Sequence, residues 1–317
     1  LAMSGGDGLS SVVETDLDGD GGIDLRVSRV EQPDGGTTVT SKAYNATGQL
    51  AWSKTVITSA DGRTETSTLD LDGDGVADCR VVSTLENDQS ATSVWEDLGS
   101  AGTVIRKETD ADGNESRTTF DLDGDGAVDR SRTQSVVYEA DGDVVRVLSD
   151  YADGRLVYRE TRTVGQNGLT SETEVDADGD GVTDAVKQNT TTYHADGRIV
   201  SLSETHYADG GLKTSYQKTV SADGLTETET FDYDGDGTKD KERVIVTRAD
   251  GQRIVTEKAF DDTGAVTETF VTTVSADGLD QTIQRGDVTQ TISRSPLANG
   301  SYDWDNGVTA AGDERHL

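Results

Sequence analysis

The sequence predicts an all-β protein, a repetitive antiparallel β-meander that forms an extended or coiled single-layer sheet. Three observations predict this fold class. An acidic nine-residue motif recurs five times along the 317 residues. Short segments with alternating residue types, typical of β-strands, lie between Asp-Gly, Asn-Gly or Thr-Gly pairs, which are typical of hairpin corners. No segment shows the apolar spacing of a helix, and each repeat has room for about four strands.

The recurring motif is D-x-D-G-D-G-x-x-D, with carboxylates at positions 1, 3, 5 and 9 and glycines at positions 4 and 6. Ca²⁺ takes about six to eight oxygen ligands, and carboxylates at positions 1, 3 and 5 of a tight loop can converge on one ion. The glycine at position 6 supplies the sharp turn around it. We therefore predict about five Ca²⁺ ions as cofactors. The predicted metal ligands are Asp16, Asp18, Asp20, Asp24, Asp70, Asp72, Asp74, Asp78, Asp121, Asp123, Asp125, Asp129, Asp176, Asp178, Asp180, Asp184, Asp232, Asp234, Asp236 and Asp240.

The motif resembles the calcium loop of the EF-hand, but it differs at position 12. The EF-hand has a bidentate Glu there, whereas the five copies have Val27, Val81, Arg132, Lys187 and Arg243. The segments on either side do not have helical patterns. We therefore expect the ninth-position aspartate to complete each site, directly or through water, in a loop that joins two strands.

The composition predicts that the stability of the fold depends strongly on bound metal. Only 32% of the residues are hydrophobic and the net charge is −33, which is typical of disordered chains. A site with a Kd of about 10⁻⁵ M adds about 2.7 kcal/mol at millimolar Ca²⁺, so five sites would add on the order of 10 kcal/mol. Because this term vanishes in a Ca²⁺-poor cytosol, we predict a protein that folds after export and is extracellular, secreted or bound to the cell surface.

Several classes of protein and partner are excluded or favoured by the same composition. The single cysteine, Cys79, cannot form an internal disulfide and is predicted to be a strand residue. The absence of a long apolar run argues against membrane insertion, and the acidity argues against nucleic acid as a partner. The remaining candidate partners are other domains of the same large protein, a second copy of the chain, or surface glycans stacked on exposed aromatics such as Trp52 and Trp304.

The motif spacing divides the chain into tandem repeats. Asp-Gly or Asn-Gly pairs begin nine residues before each motif and are expected to form two-residue type I′ corners, with a seven-residue strand between corner and motif. Residues 280–317 lose the motif and are expected to be an atypical C-terminal cap or the start of the next segment. The five calcium-loop repeats fill residues 1–279, with approximate bounds 1–60, 61–111, 112–166, 167–222 and 223–279.

A second phrase recurs between the acidic motifs: an aromatic residue, a short spacer, an Asp-Gly corner, then Arg and an aliphatic residue. It is YADGRL at 151–156 and YHADGRI at 193–199, with looser copies at 44–50, 207–212 and 260–266. This phrase resembles the YD repeats of the RHS and insecticidal-toxin families. The resemblance implies a long coiled β-sheet that forms a hollow shell around a toxin, so the chain would be a segment of such a shell.

The acidic loops also look like those of FG-GAP propellers and of thrombospondin type 3 repeats. An FG-GAP resemblance implies a β-propeller with one four-stranded blade per repeat and a role in binding a ligand or glycan. A further alternative is a noncatalytic module of an enzyme that acts on polysaccharides.

The sequence predicts no enzyme. The three histidines, His194, His206 and His316, do not belong to a triad pattern, and no nucleophile-elbow motif occurs. Nearly every pair of neighbouring carboxylates belongs to an acidic loop. The preferred interpretation is therefore a calcium-stabilised structural repeat segment, a spacer or scaffold of a large secreted or cell-surface bacterial protein that is adhesin-like or matrix-like.

Overall fold

A computed structural model describes residues 2–5, 9–99, 102–297, 302–310 and 313–316. These residues contain 25 β-strands and no helix, which confirms the all-β prediction. They also include no helix of the length and apolarity that a bilayer crossing requires.

The first twelve strands are β1 (Ala2–Ser4), β2 (Ser10–Thr15), β3 (Leu25–Glu31), β4 (Thr37–Tyr44), β5 (Leu50–Thr58), β6 (Thr64–Asp70), β7 (Cys79–Leu85), β8 (Ala91–Asp97), β9 (Val104–Thr109), β10 (Glu115–Asp121), β11 (Arg130–Tyr138) and β12 (Val144–Ala152). The other strands are β13 (Arg155–Val164), β14 (Thr170–Asp176), β15 (Ala185–Tyr193), β16 (Ile199–Tyr207), β17 (Leu212–Val220), β18 (Thr226–Asp232), β19 (Lys241–Thr247), β20 (Arg253–Phe260), β21 (Val266–Val274), β22 (Asp280–Arg285), β23 (Val288–Pro296), β24 (Tyr302–Ala310) and β25 (Asp313–His316).

The chain forms two compact units, and each is an antiparallel meander. Unit 1 comprises residues 1–137, 146–160 and 177–181, and unit 2 comprises the remainder. In unit 1 every strand from β1 to β11 pairs with the next strand of the chain. Unit 2 continues in the same way from β14 to β25. The propeller alternative is wrong within each unit, because propeller blades would interrupt these ladders after every fourth strand.

The acidic motifs lie at every fourth strand connection. They join β2 to β3, β6 to β7, β10 to β11, β14 to β15 and β18 to β19, which confirms four strands per repeat. Successive connections in a meander alternate between the two margins of the sheet. The three motifs between β2 and β11 therefore lie along the same margin of unit 1.

Neither unit has a thick apolar core. Within the described residues only Cys79, Ile245 and Val255 are buried apolar residues, and no side chain is completely buried. Since the described pairings join strands only to their chain neighbours, each meander is one layer with water on both faces. Cross-strand pairs stabilise it instead, such as the Tyr216 and Phe231 rings with centroids 4.9 Å apart, each pair contributing about 0.2–1 kcal/mol.

Within the described residues the hairpin corners differ from the expected type I′ geometry, while the predicted corner at Asp7-Gly8 lies outside those residues. At residues 59–64 the Gly62 amide donates to the Ser59 carbonyl at 2.9 Å, and only Gly62 has a positive φ, of 71°. Asp61 keeps a negative φ, and its Oδ1 accepts hydrogen bonds from the Ser59 hydroxyl at 2.6 Å and the Arg63 amide at 3.0 Å. The general type I′ prediction is wrong because the Asp side chain caps the turn while the φ of the Asp residue stays negative.

The corner between β12 and β13 is the exception that does have type I′ dihedral signs. Asp153 has a φ of 47° and Gly154 a φ of 74°, and these two residues alone separate the strands. A non-glycine residue at positive φ is strained, although Asp tolerates it better than most residues. The same Asp-Gly dipeptide therefore adopts two backbone conformations in this protein.

This contrast predicts opposite tolerance to glycine. Asp61→Gly should lower the free energy of unfolding by about 1 kcal/mol, since it removes two hydrogen bonds and adds freedom to the unfolded chain. Asp153→Gly should stay within about 0.5 kcal/mol of wild type, since relief of the left-handed strain offsets that freedom. Thermal unfolding at fixed Ca²⁺ measures both variants, and equal losses would contradict the assigned corner geometries.

Candidate metal centres

The five acidic motifs form closed nine-residue loops, numbered loop 1 (16–24), loop 2 (70–78), loop 3 (121–129), loop 4 (176–184) and loop 5 (232–240). Each described loop begins where one strand ends and closes through its last residue. In loop 5 the Asp240 amide donates to the Phe231 carbonyl at 2.8 Å, and in loop 1 the Asp24 amide donates to Thr15 at 2.9 Å. The strand register thus fixes the two ends of each loop against one another.

Three of the four aspartates in a loop converge on one point. In loops 1, 2, 3 and 5 the carboxylates of positions 1, 3 and 9 each place an oxygen within 4.8 Å of the other two. Loop 4 is divided between the two units, so its aspartates are described within each unit only. There the Asp180 amide donates to Asp178 Oδ1 at 3.1 Å, as at the same positions of the other loops. The converging groups are Asp16, Asp18 and Asp24; Asp70, Asp72 and Asp78; Asp121, Asp123 and Asp129; and Asp232, Asp234 and Asp240.

Backbone amides hold these carboxylates in place. In loop 5 Asp232 Oδ1 accepts the Gly235 amide at 2.6 Å, and its Oδ2 accepts the Gly237 amide at 3.0 Å. Asp240 Oδ2 accepts the Tyr233 amide at 2.5 Å. The same bonds recur at the corresponding positions of loops 1, 2 and 3. The glycines are therefore donors to the first aspartate as well as turn residues.

The fifth-position aspartate has a different role in the structure. Asp236 Oδ1 accepts the Thr238 hydroxyl at 2.5 Å and the Thr238 amide at 2.7 Å, and the hydroxyl bond is the main reason that the pKa of Asp236 is lowered. Asp20, Asp74 and Asp125 likewise accept the amide of position 7. The converging groups do not include position 5, and its assignment as a ligand stays a prediction.

The donor set fits a hard cation. Two like charges about 4 Å apart repel by about 4 kcal/mol at an effective dielectric constant of 20. Among the described ion pairs, none involves an aspartate of loops 1, 2, 3 or 5, so this repulsion is not relieved by a direct contact with lysine or arginine there. An ionised carboxylate has about four lone-pair sites, so two amide bonds leave room for a metal.

After loops 3 and 5 the arginine at position 12 pairs with a carboxylate outside the loop. Arg132 forms a bidentate pair with Asp150 on β12, at 2.6 and 2.7 Å, and this pair holds the pKa of Asp150 below its usual range. Arg243 Nη1 lies 3.3 Å from Glu229 Oε2 on β18. These pairs tie the strand after the loop to its neighbours. The arginines are therefore not available to the acidic loop. The ninth-position aspartate, which belongs to each converging group, is the residue that closes the group instead.

The fourth-position glycine has a packing role that sequence reasoning missed. A Cβ on Gly73 would overlap the carbonyl oxygen of Leu50, in the hairpin corner before loop 2, and Gly235 packs on Leu212 in the same way. In loop 1 nothing lies within 4 Å of the equivalent position on Gly19. The first aspartate is buried in loops 2 and 5, at 5% exposure for Asp70 and 7% for Asp232, but it is exposed in loop 1.

Comparisons with known proteins show no family. No family model matches the chain, and neither does any curated protein. Among solved structures it is similar to a Tc holotoxin pore of Photorhabdus luminescens, with 9% identity and a TM-score of 0.21 over 93% of this chain and 19% of that one. Two TcdB2-TccC3 structures, one without the hypervariable C-terminal region and one described as TcdB2-TccC3-TEV, each share 11% identity, with TM-scores of 0.15 and 0.13 over 96% and 97% of this chain. The chain covers 22% of each. It therefore spans about a fifth of these structures, and TM-scores this low carry no argument about its fold or function.

Proposed function

We propose that the chain is a calcium-stabilised structural repeat segment, a noncatalytic spacer or scaffold within a large secreted or cell-surface protein. The observation that carries this proposal is the convergence of three carboxylates in each of loops 1, 2, 3 and 5, where none of the described ion pairs involves a loop aspartate. Because the same group recurs at regular intervals between strands, we assign it a structural role.

Calcium is the cation that this donor set favours. The groups consist of carboxylate oxygens and contain no histidine or cysteine. Zn²⁺ is usually bound by nitrogen and sulfur, and Mg²⁺ demands near-ideal octahedral geometry and retains several waters. Ca²⁺ accepts irregular sets of oxygen ligands, including carbonyls and waters that complete a three-carboxylate group. The proposed ion count is about five, one for each loop.

The thin meander makes the metal term large relative to other sources of stability. The hydrophobic effect supplies about 25 cal/mol per Å² of buried apolar surface, and the described residues bury few apolar side chains. Ca²⁺ at millimolar concentration, which is found outside cells, would supply the missing stability. We therefore place the working protein outside the cell, with other domains of its own chain, further copies or surface glycans as proposed partners.

The direct test is a calorimetric Ca²⁺ titration of the full chain combined with single-molecule stretching. We expect about five equivalents of Ca²⁺ to bind, with Mg²⁺ as a weak competitor. A chain held between two handles should resist a higher force in Ca²⁺ than in EGTA, because the ions close the loops between paired strands. Binding without any change in unfolding force would contradict the spacer role, and no binding would contradict the metal sites.

The second candidate is a segment of an RHS-type shell. It is favoured by the placement of the YD-like phrases at 44–50, 207–212 and 260–266, which form corners at the same margin as the acidic loops of their unit. The phrase at 193–199 joins β15 to β16 at the other margin. Two of these corners, at Tyr44 and Phe260, coincide with a shift in strand register. A cargo domain encoded next to this segment, protected from protease by it, would support the shell. Protease access to every neighbouring domain would support the spacer.

A further inference from the structure

The margin of unit 1 that carries loops 1 to 3 also carries the hairpin corners between them. Corner 1 (residues 44–50) joins β4 to β5 and lies between loops 1 and 2. Corner 2 (residues 98–103, of which 100 and 101 are outside the described residues) joins β8 to β9 and lies between loops 2 and 3. Loops and corners therefore alternate along this margin, and each corner has an acidic loop on either side.

Each corner is hydrogen-bonded to the loop before it through the ninth-position aspartate. The Tyr44 amide of corner 1 donates to the Asp24 carbonyl at 2.9 Å, and the Leu98 amide of corner 2 donates to the Asp78 carbonyl at 2.7 Å. The carboxylates of these same two aspartates belong to the converging groups of loops 1 and 2. One residue thus connects the metal ligands to the next corner.

Each corner also packs against the loop after it. The Leu50 carbonyl of corner 1 occupies the space beside Gly73 of loop 2. In corner 2 the Gly102 carbonyl oxygen would lie 2.7 Å from a Cβ on Gly124 of loop 3, and the Thr103 hydroxyl donates to the Leu122 carbonyl of that loop at 2.9 Å. The corner therefore contacts both of its neighbouring loops through its backbone.

We propose that corners 1 and 2 couple the cation sites of loops 1, 2 and 3, so that an ion in one loop raises the affinity of the next. This inference rests on the proposed function, since it concerns how the same sites fill. An ion that draws the Asp24 carboxylate inward also fixes its carbonyl, and with it the corner that covers loop 2. The next ion then binds to a loop whose neighbouring corner is already ordered, so less conformational entropy is lost on binding. This saving is the source of the positive cooperativity.

The experiment follows each site by NMR in the full-length ¹⁵N-labelled chain during a Ca²⁺ titration. The sixth-position glycine amide reports on its own loop, since it donates to the first aspartate at 2.9 Å in loop 1 and 3.0 Å in loop 2. The variant Asp72→Asn removes one exposed ligand of loop 2 and keeps an oxygen for the Asp74 amide, which donates to Asp72 Oδ1 at 3.1 Å. The reporters are Gly21, Gly75, Gly126 and Gly237.

In Asp72→Asn we expect the Ca²⁺ midpoints of loops 1 and 3 to rise at least about fivefold, while loop 5 stays within about twofold of wild type. Asp88→Asn is the charge-matched control, because Asp88 lies in the turn between β7 and β8 at the other margin. It should leave all midpoints in place at an ionic strength of about 0.15 M, where charges are screened over about 8 Å. Unchanged midpoints in loops 1 and 3 would overturn the coupling, whereas wild-type amides that never respond to Ca²⁺ would overturn the proposed function.

A second pair of variants tests the contact itself. Gly73→Ala and Gly75→Ala both place a side chain at positive φ in loop 2, 77° and 89°, but only Gly73 faces corner 1. Asp18→Asn, which disables loop 1, should shift the loop 2 midpoint at least about fivefold in the Gly75→Ala background and less than about twofold in the Gly73→Ala background. Equal shifts in the two backgrounds would show that the corner contact does not carry the coupling.

Discussion

Chelation with EGTA should abolish most of the stability of this protein. We expect the free energy of unfolding to fall by on the order of 10 kcal/mol from its value at millimolar Ca²⁺, since each of about five sites contributes about 2.7 kcal/mol at one hundred times its Kd. A typical domain has about 5–15 kcal/mol in total. The β-sheet circular dichroism should therefore collapse at room temperature on chelation and return when Ca²⁺ is added back.

Two controls separate this effect from others. EGTA already saturated with Ca²⁺ should leave the signal unchanged, and NaCl at matched ionic strength should not restore it, because screening weakens the repulsion between loops without binding within them. A melting temperature that does not respond to chelation would contradict the metal-dependent fold. In that case the aspartate groups would be stabilised by their amide hydrogen bonds alone.

Removal of the first aspartate of a loop should cost far more than removal of the fifth. Asp232→Ala deletes a carboxylate that is 7% exposed, leaves the Gly235 and Gly237 amides without an acceptor and disables the site. We expect a loss of about 6 kcal/mol in Ca²⁺, from the ion and from two charged hydrogen bonds. Asp236→Ala removes an exposed turn cap outside the converging group and should cost about 1 kcal/mol.

Hydrogen exchange would locate the damage and denaturant unfolding would measure it. Asp232→Ala should lose amide protection mainly in β18 and β19, while β2 and β3, which flank loop 1, keep theirs. At a Ca²⁺ concentration well below saturation, where the sheet is still folded, the difference between the two variants should shrink but persist, because the two amides remain without an acceptor however little metal is bound. Equal costs in Ca²⁺ would show that the fifth aspartate is a ligand of the same rank as the first.

Local features of the fold could be predicted from the sequence because they depend on neighbouring residues. The alternating segment at 225–231 became β18, Thr226–Asp232, and Cys79 is the buried first residue of β7. The converging carboxylates followed from spacing within nine residues. Both kinds of inference use a periodicity or a loop length that the sequence displays directly.

The contacts between loops and corners could not be predicted in this way. Gly73 and Leu50 are separated by two strands, and their contact depends on the register of β5 with β6. The type I′ prediction for the Asp-Gly corners failed for a local reason. Asp61 caps its turn with its side chain, whereas Asp153 adopts a positive φ. An identical dipeptide carries no signal that separates these two outcomes, because the flanking residues and the pairing decide between them.

The scarcity of enclosed side chains has a consequence for the temperature range of the protein. Most of the heat-capacity increase on unfolding comes from newly hydrated apolar surface, and ordinary domains gain about 12–15 cal/mol/K per residue. A sheet that is solvated on both faces buries little apolar surface, so its heat-capacity change on unfolding should be smaller. Its curve of stability against temperature should therefore be flatter. With Ca²⁺ present, the folded state should therefore resist cold denaturation, and its free energy of unfolding should vary little across the physiological temperature range.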